Sequence, residues 1–133
     1  MKKQGELSVA SPLVIIVDDD VAVRNSLKFS LEVEGFAVRA YSSGLELLND
    51  PELPGGGCLV IDQNMPRMNG IDLVAKLRDL HFSAPVVLIT SDPPKALVAR
   101  AGRAGVLIVE KPLLGNTLLD TIHDMVAPRA TPR

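Results

Sequence analysis

The chain reads as an α/β domain: a parallel sheet with helices on both faces. Five short apolar runs, starting at Leu13, Phe36, Cys58, Val86 and Val106, alternate with stretches that carry helical spacing or helix caps. The runs at 13–17, 58–61 and 86–89 are continuous and aliphatic, as in strands buried on both faces. Four of the five stop at a charged or hydroxyl residue: Asp18-Asp19-Asp20, Asp62, Thr90 and Lys111. The run at 36–41 carries no such group. Right-handed crossovers between successive strands make the sheet parallel. The carboxyl ends of its strands then converge on one rim, where open α/β sheets bind ligands.

Residues 1–11 form a polar leader ahead of the first strand, 13–17. The spacing of Val23, Leu27 and Leu31 predicts a helix over 21–34 with one apolar face, and Gly35 ends it. The second strand is 36–41. Ser43-Gly44-Leu45-Glu46 matches a capping box and opens a short helix that the Pro/Gly-rich stretch 51–57 terminates. The third strand, 58–61, leads into a loop over 62–68. Asn69 caps a helix carrying Ile71, Val74, Leu77 and Leu80. Pro85 opens the fourth strand, 86–90. Asp92-Pro93-Pro94 reads as an N-cap with prolines in the first turn of the fourth helix, and Gly105 closes that helix. The fifth strand is 106–109, and Leu118, Ile122 and Met125 line the core face of the last helix. The expected division is a leader at 1–11, one domain at 12–127, and a tail or linker stub at 128–133.

With 133 residues the chain suits a single domain, and its 47% apolar content is aliphatic, with no Trp, one Tyr and three Phe. That leaves little for base stacking, and a net charge of -2 without a basic stripe argues against direct nucleic-acid binding. The lone Cys58 excludes an internal disulfide and reads as a small buried hydrophobe rather than a nucleophile. No run approaches the ~20 apolar residues of a membrane span. No signal core is recognisable either, so a cytoplasmic location is expected.

The rim residues carry the chemistry. Asp20 can cap the first helix, which leaves Asp18 and Asp19 at the rim. Adjacent carboxylates repel unless one takes a proton or a cation neutralises both. Mg²⁺ suits them, since it prefers oxygen and commonly takes one or two carboxylates plus phosphate oxygens. Asp62 precedes a loop shaped by Pro66 and Gly70, and an aspartate beside Mg²⁺ can attack phosphorus. The Thr90 hydroxyl and the Lys111 ammonium could each contact a phosphoryl oxygen. Pro112 would fix the backbone after Lys111, through a cis or a trans bond.

Four motifs occur in order: Val17-Asp18-Asp19-Asp20, Ile61-Asp62-Gln63-Asn64-Met65-Pro66-Arg67-Met68-Asn69-Gly70, Ile89-Thr90-Ser91 and Glu110-Lys111-Pro112. Together they resemble the receiver domain of two-component response regulators, over about residues 12–127. They are closest to the branch that often carries a C-terminal helix-turn-helix output domain. The resemblance implies a flavodoxin-like (βα)5 fold with strand order 2-1-3-4-5, and a phosphoprotein of a phosphorelay rather than an enzyme. At most the chain would phosphorylate itself from small phosphodonors and dephosphorylate itself. The resemblance makes Asp62 the phosphoacceptor. It makes Asp18, Asp19, Asp62 and the main-chain carbonyl of Asn64 the Mg²⁺ ligands, and Thr90 and Lys111 the phosphoryl contacts. The implied partners are a sensor histidine kinase, a C-terminal or separate output domain acting in transcription regulation, and a phosphorylation-dependent homodimer formed through the fourth helix, fifth strand and fifth helix.

The chain departs from that pattern in three places. Ile108 stands where the family usually has Phe or Tyr, so the relay from Thr90 must work without a swinging ring. The fourth helix has two prolines at its start, Gly102 inside it and a thin apolar face of Leu97, Val98 and Ala101, and is expected to be the least stable. Leu113 and Leu114 replace a polar cap on the last helix and read either as core or as an interaction face, with Asn116 as a later cap. His81 and His123 have no metal-ligand spacing. Arg67 and Arg103 read as solvated, with Arg67 near enough to the rim to meet a phosphodonor.

Two other readings stay open. Asp18-Asp19-Asp20-Val21 also resembles the first motif of haloacid-dehalogenase-type phosphatases, with Asp18 as nucleophile, although Asp120 and Asp124 fall within a helix. A receiver-like binding module that is never phosphorylated is the other. A dinucleotide fold is disfavoured because Gly55-Gly56-Gly57 precedes a strand instead of following one.

Overall fold

A computed structural model describes residues 12–53, 57–113 and 115–126. Five strands alternate with five helices: β1 (Leu13–Val17), α1 (Val21–Val33), β2 (Ala37–Tyr41), α2 (Gly44–Leu48), β3 (Cys58–Asp62), α3 (Gly70–Asp79), β4 (Val86–Thr90), α4 (Lys95–Arg103), β5 (Leu107–Glu110) and α5 (Thr117–Val126). All strand pairs are parallel and the order is β2-β1-β3-β4-β5, as expected. The expected leader and tail lie outside the described residues. Among the described residues no helix is long and apolar enough to cross a membrane.

Side chains alternate between the two faces of a strand, and this divides the core. Ile15, Val17, Leu59, Ile61 and Leu88 pack with Leu47, Leu73, Val74, Leu77 and Ala101 from α2, α3 and α4. Val14, Ile16, Cys58, Val60, Val87 and Ile89 pack with Leu31, Leu118 and Ile122 from α1 and α5. Fully burying a leucine such as Leu31 contributes roughly 1.5–3 kcal/mol.

The caps match the sequence at most ends. Asp20 Oδ1 accepts from the N–H groups of Ala22 (2.9 Å) and Val23 (3.2 Å). Gly35, at φ 98°, closes α1 in a backbone region that favours glycine. Ser43 Oγ accepts from Glu46 N, but Glu46 reaches back to Ser42 N, not to the cap residue's own N–H.

Three expectations need correction. Asp92 does not cap α4: Pro94 keeps Pro93, the residue before it, out of the helical region, so no helix can begin directly after Asp92, and α4 starts at Lys95. Its N-cap is Pro94, which offers no side-chain acceptor. Leu80 is not core. It is the C-cap of α3, followed by His81 at φ 63°, and stands 64% exposed, while Leu73 is fully buried. Val98 is also exposed, which leaves Ala101 as the one buried residue of α4.

Candidate functional site

The four charged or hydroxyl strand ends meet at one rim. Asp18 follows β1 and is held at three points. Its N–H donates to Tyr41 O (3.1 Å), its carbonyl accepts from Arg24 Nη1 (2.8 Å), and its Oδ1 accepts from Asp20 N (2.9 Å). Asp62 is the last residue of the fully buried β3 and is itself 4% exposed. Thr90 ends β4 and is likewise buried. Lys111 follows β5; its N–H donates to Thr90 O (2.8 Å), and its bond to Pro112 is cis.

The Lys111 side chain turns inward, placing Nζ 3.0 Å from Asp62 Oδ1. The contact is an ion pair without the alignment of a hydrogen bond, and Oδ1 has no hydrogen-bond partner. Buried polar atoms are nearly always paired, and this oxygen, with only the Lys111 ammonium beside it, retains capacity to bind a cation or take a phosphoryl group.

The loop after β3 is fixed by its own groups. Gln63 N donates to Ile89 O (2.9 Å), Gly70 N to Gln63 O (3.1 Å), and Ile71 N to Gln63 Oε1 (2.8 Å). Asn69 Oδ1 caps α3 through Asp72 N (3.0 Å). A Cβ on Gly70 would lie 2.6 Å from Leu88 Cδ1 and 2.8 Å from Asp62 O. Only glycine lets the α3 N-terminus approach the nucleophile candidate this closely. Pro66 is exposed and its carbonyl accepts from Met68 N (2.7 Å), across Arg67 at φ 69°.

Carboxylate oxygens of Asp18, Asp19 and Asp62 come within 4.8 Å of one another. Burial pushes the Asp18 carboxyl above the ordinary range. The negative charges of Asp62 and Asp19 push the same way, against the Asp20 N–H and Lys111. An all-oxygen donor set, a buried carboxyl with its pKa raised by burial and by its carboxylate neighbours, and an Asp62 oxygen with no hydrogen bond fit a small hard dication such as Mg²⁺.

The structure thus brings Asp18, Asp19, Asp62 and Lys111 together, with Thr90 on the adjoining strand end. Asn64 is exposed in the loop two residues after Asp62. Ile108 pairs with Leu88 one strand over and packs partly buried against the core on the α3 and α4 side. Leu113 packs partly buried on the α1 and α5 side, and Leu114 lies outside the described residues. His81 is exposed, and His123 sits 3.3 Å from Glu34 at the opposite end of the domain from the rim. Burial pushes the Cys58 thiol up to about 11, which makes it a poor nucleophile.

Arg24, Gln63 and the Arg100–Asp72 ion pair escaped the sequence reading, because each acts through a contact that only the fold creates. An apolar groove between α1 and α5, lined by Val23, Leu27, Leu31, Leu118 and Leu119 among others, includes none of the rim carboxylates. A second hollow has Val23, Ser91, Lys111, Pro112 and Leu113 on its walls.

The response regulator receiver domain family matches residues 14–123. The transcriptional regulatory protein FixJ of Rhizobium meliloti (strain 1021) is 36% identical over 111 residues, covering 83% of this chain and 54% of that protein. The response regulator protein TmoT of Ectopseudomonas mendocina is 33% identical over 112 residues, covering 84% and 51%. The chain therefore spans about half the length of the curated relatives it matches. A crystal structure of FixJ-N superposes with a TM-score of 0.74 at 32% identity, covering 94% of this chain and all of that one.

Proposed function

The chain belongs to the response regulator receiver domain family, whose members are regulatory and not catalytic, and from that premise we propose that it is a phosphorylation switch with Asp62 as phosphoacceptor. The observation that carries this reading is the buried Asp62 carboxylate, with Oδ1 free of hydrogen bonds and ion-paired to Lys111 Nζ at 3.0 Å, inside a cluster of three aspartates.

The donor is a phosphohistidine of a sensor kinase, or a small acyl phosphate. An Asp62 oxygen bonds to phosphorus as the bond to the leaving nitrogen or oxygen breaks, and the electron pair leaves with that atom. Mg²⁺, held by Asp18, Asp19, Asp62 and the Asn64 carbonyl, would neutralise the carboxylates and stabilise charge on the phosphoryl oxygens. Lys111 passes from the Asp62 carboxylate to a phosphoryl oxygen, and the Thr90 hydroxyl donates to another.

The new group carries roughly -1.5 to -2 charges by analogy with other phosphoresidues. Reversing a 1:99 equilibrium takes about 5.5 kcal/mol of preference for one state. Pulling Thr90 and Lys111 inward biases the surface of α4, β5 and α5, through Ile108 in place of a ring. That surface then controls a homodimer, or an output domain acting in transcription. A phosphatase centred on Asp18 has less support, because Asp20, its would-be acid, is engaged as the α1 N-cap.

Incubation with acetyl phosphate tests the reading. Intact-mass measurement should show one phosphoryl group on the wild type with Mg²⁺, and none after chelation or in Asp62→Ala. Equal labelling of Asp62→Ala would refute it.

A further inference from the structure

We infer that Arg24 is a positioning residue for the cation site, acting through the main chain of Asp18. The inference rests on the proposed reading of the rim as a Mg²⁺ site. Arg24 lies in the first turns of α1, half-buried, with its N–H donating to Asp20 O (2.9 Å) and its Nη1 donating to Asp18 O (2.8 Å). Among the described residues its guanidinium forms no ion pair with a carboxylate, although Asp18 and Asp19 in the turn before α1 cluster with Asp62 at the end of β3.

Asp18 has three tethers: Tyr41 O on its N–H, Asp20 N on its Oδ1 and Arg24 on its carbonyl. The first two are backbone groups. Arg24 supplies the side-chain tether, and it links the turn to the body of α1. With the main chain and Oδ1 fixed, the second carboxylate oxygen of Asp18 is left to face a ligand.

Charge and position make opposite predictions. A guanidinium near a cation site repels the cation, so deleting it should tighten Mg²⁺ binding if charge were its main effect. As a tether its removal should loosen the carboxylate and weaken binding. Groups that orient metal ligands typically cost 10–100-fold in affinity when removed. Lysine keeps the charge but not the planar fork or the reach.

The test is Mg²⁺ binding to the full chain by titration calorimetry, for wild type, Arg24→Met and Arg24→Lys. The expected dissociation constant rises about tenfold in Arg24→Met, and rises by a smaller factor in Arg24→Lys. The Mg²⁺ concentration for half-maximal labelling by acetyl phosphate should rise in parallel, with the rate recovering at saturating Mg²⁺. Unchanged or tighter binding in Arg24→Met overturns the inference, as does a labelling rate that saturating Mg²⁺ does not restore. If Arg24→Met does not fold, Arg24→Lys decides: a charge-only role leaves its affinity unchanged. Failure of the wild type itself to bind Mg²⁺ would instead overturn the site reading, and the inference with it.

Discussion

Arg100 Nη2 lies 2.9 Å from Asp72 Oδ1, and this ion pair ties α4 to the first turn of α3, the helix whose N-terminus packs on Asp62. Its importance comes from how little else holds α4. The helix has no side-chain cap, contains Gly102 and buries only Ala101. Both charged side chains are about half exposed, so the pair stabilises the fold by no more than about 1 kcal/mol. Amide exchange should be faster across Lys95–Arg103 than across α1, and Arg100→Ala should speed it further in α4 alone. Exchange in α4 slower than in α1 would contradict this.

Gly70→Ala should distort the site from beneath. The added methyl would press on Leu88 and on the carbonyl of Asp62, one of which is backbone and cannot swing away. Overpacking of this kind costs typically 1–3 kcal/mol. Urea unfolding should show the loss, and phosphorylation should slow beyond what stability alone explains. A fully stable, normally labelled variant would mean that α3 can back away.

The relation between sequence and fold is clearest here. The continuous aliphatic strands, the Asp20, Ser43 and Asn69 caps and the Gly35 and Gly105 stops are local signals, and the structure keeps them. So is the placement of Asp18, Asp62, Thr90 and Lys111 at strand ends, which needs only parallel topology to become a rim. What stayed hidden depends on tertiary approach. Arg24 must fold back on Asp18, two residues before the cap of its helix, Gln63 must reach across to Ile71, and Arg100 must find Asp72 on another helix. Leu80 misled because the apolar spacing continues one residue past the point where the helix ends. Asp92 misled because Pro94 keeps Pro93 out of the helical region, so no helix can begin directly after Asp92.

Asp50 gives the domain an acid-sensitive edge. Its carboxylate accepts from Tyr41 Oη (2.6 Å), Glu52 N (2.8 Å) and Arg39 Nη2 (3.0 Å), linking the end of α2 to β2. Chiefly the Tyr41 hydroxyl, then the Glu52 N–H, holds its pKa below the ordinary value, with Arg39 adding to them. A carboxyl depressed in the folded state contributes stability that is complete above its unfolded pKa, near ~3.9. That stability is lost as pH falls through the lower folded value. The stability gap between wild type and Asp50→Asn should therefore be constant down to about pH 5 and shrink below pH 4. Urea midpoints at each pH measure it, and a gap that widens in acid would reverse the assigned sign.

Cys58 should report global unfolding. The thiol is fully buried in β3 and its pKa is pushed up to about 11. Reaction with a neutral alkylating reagent should be undetectable in the native protein and rise with the unfolded population in urea. Rapid alkylation under native conditions would show that β3 opens locally, which a strand between β1 and β4 should not do.

The Asp62 carboxylate, and no other rim aspartate, is expected to take the phosphoryl group. Reduction of the labelled protein with borohydride converts an aspartyl phosphate to homoserine, which tandem mass spectrometry locates by position. Homoserine at position 62 alone, absent when Mg²⁺ is withheld, is the expected result. Homoserine at position 18 or 19, or none after confirmed labelling, would contradict it.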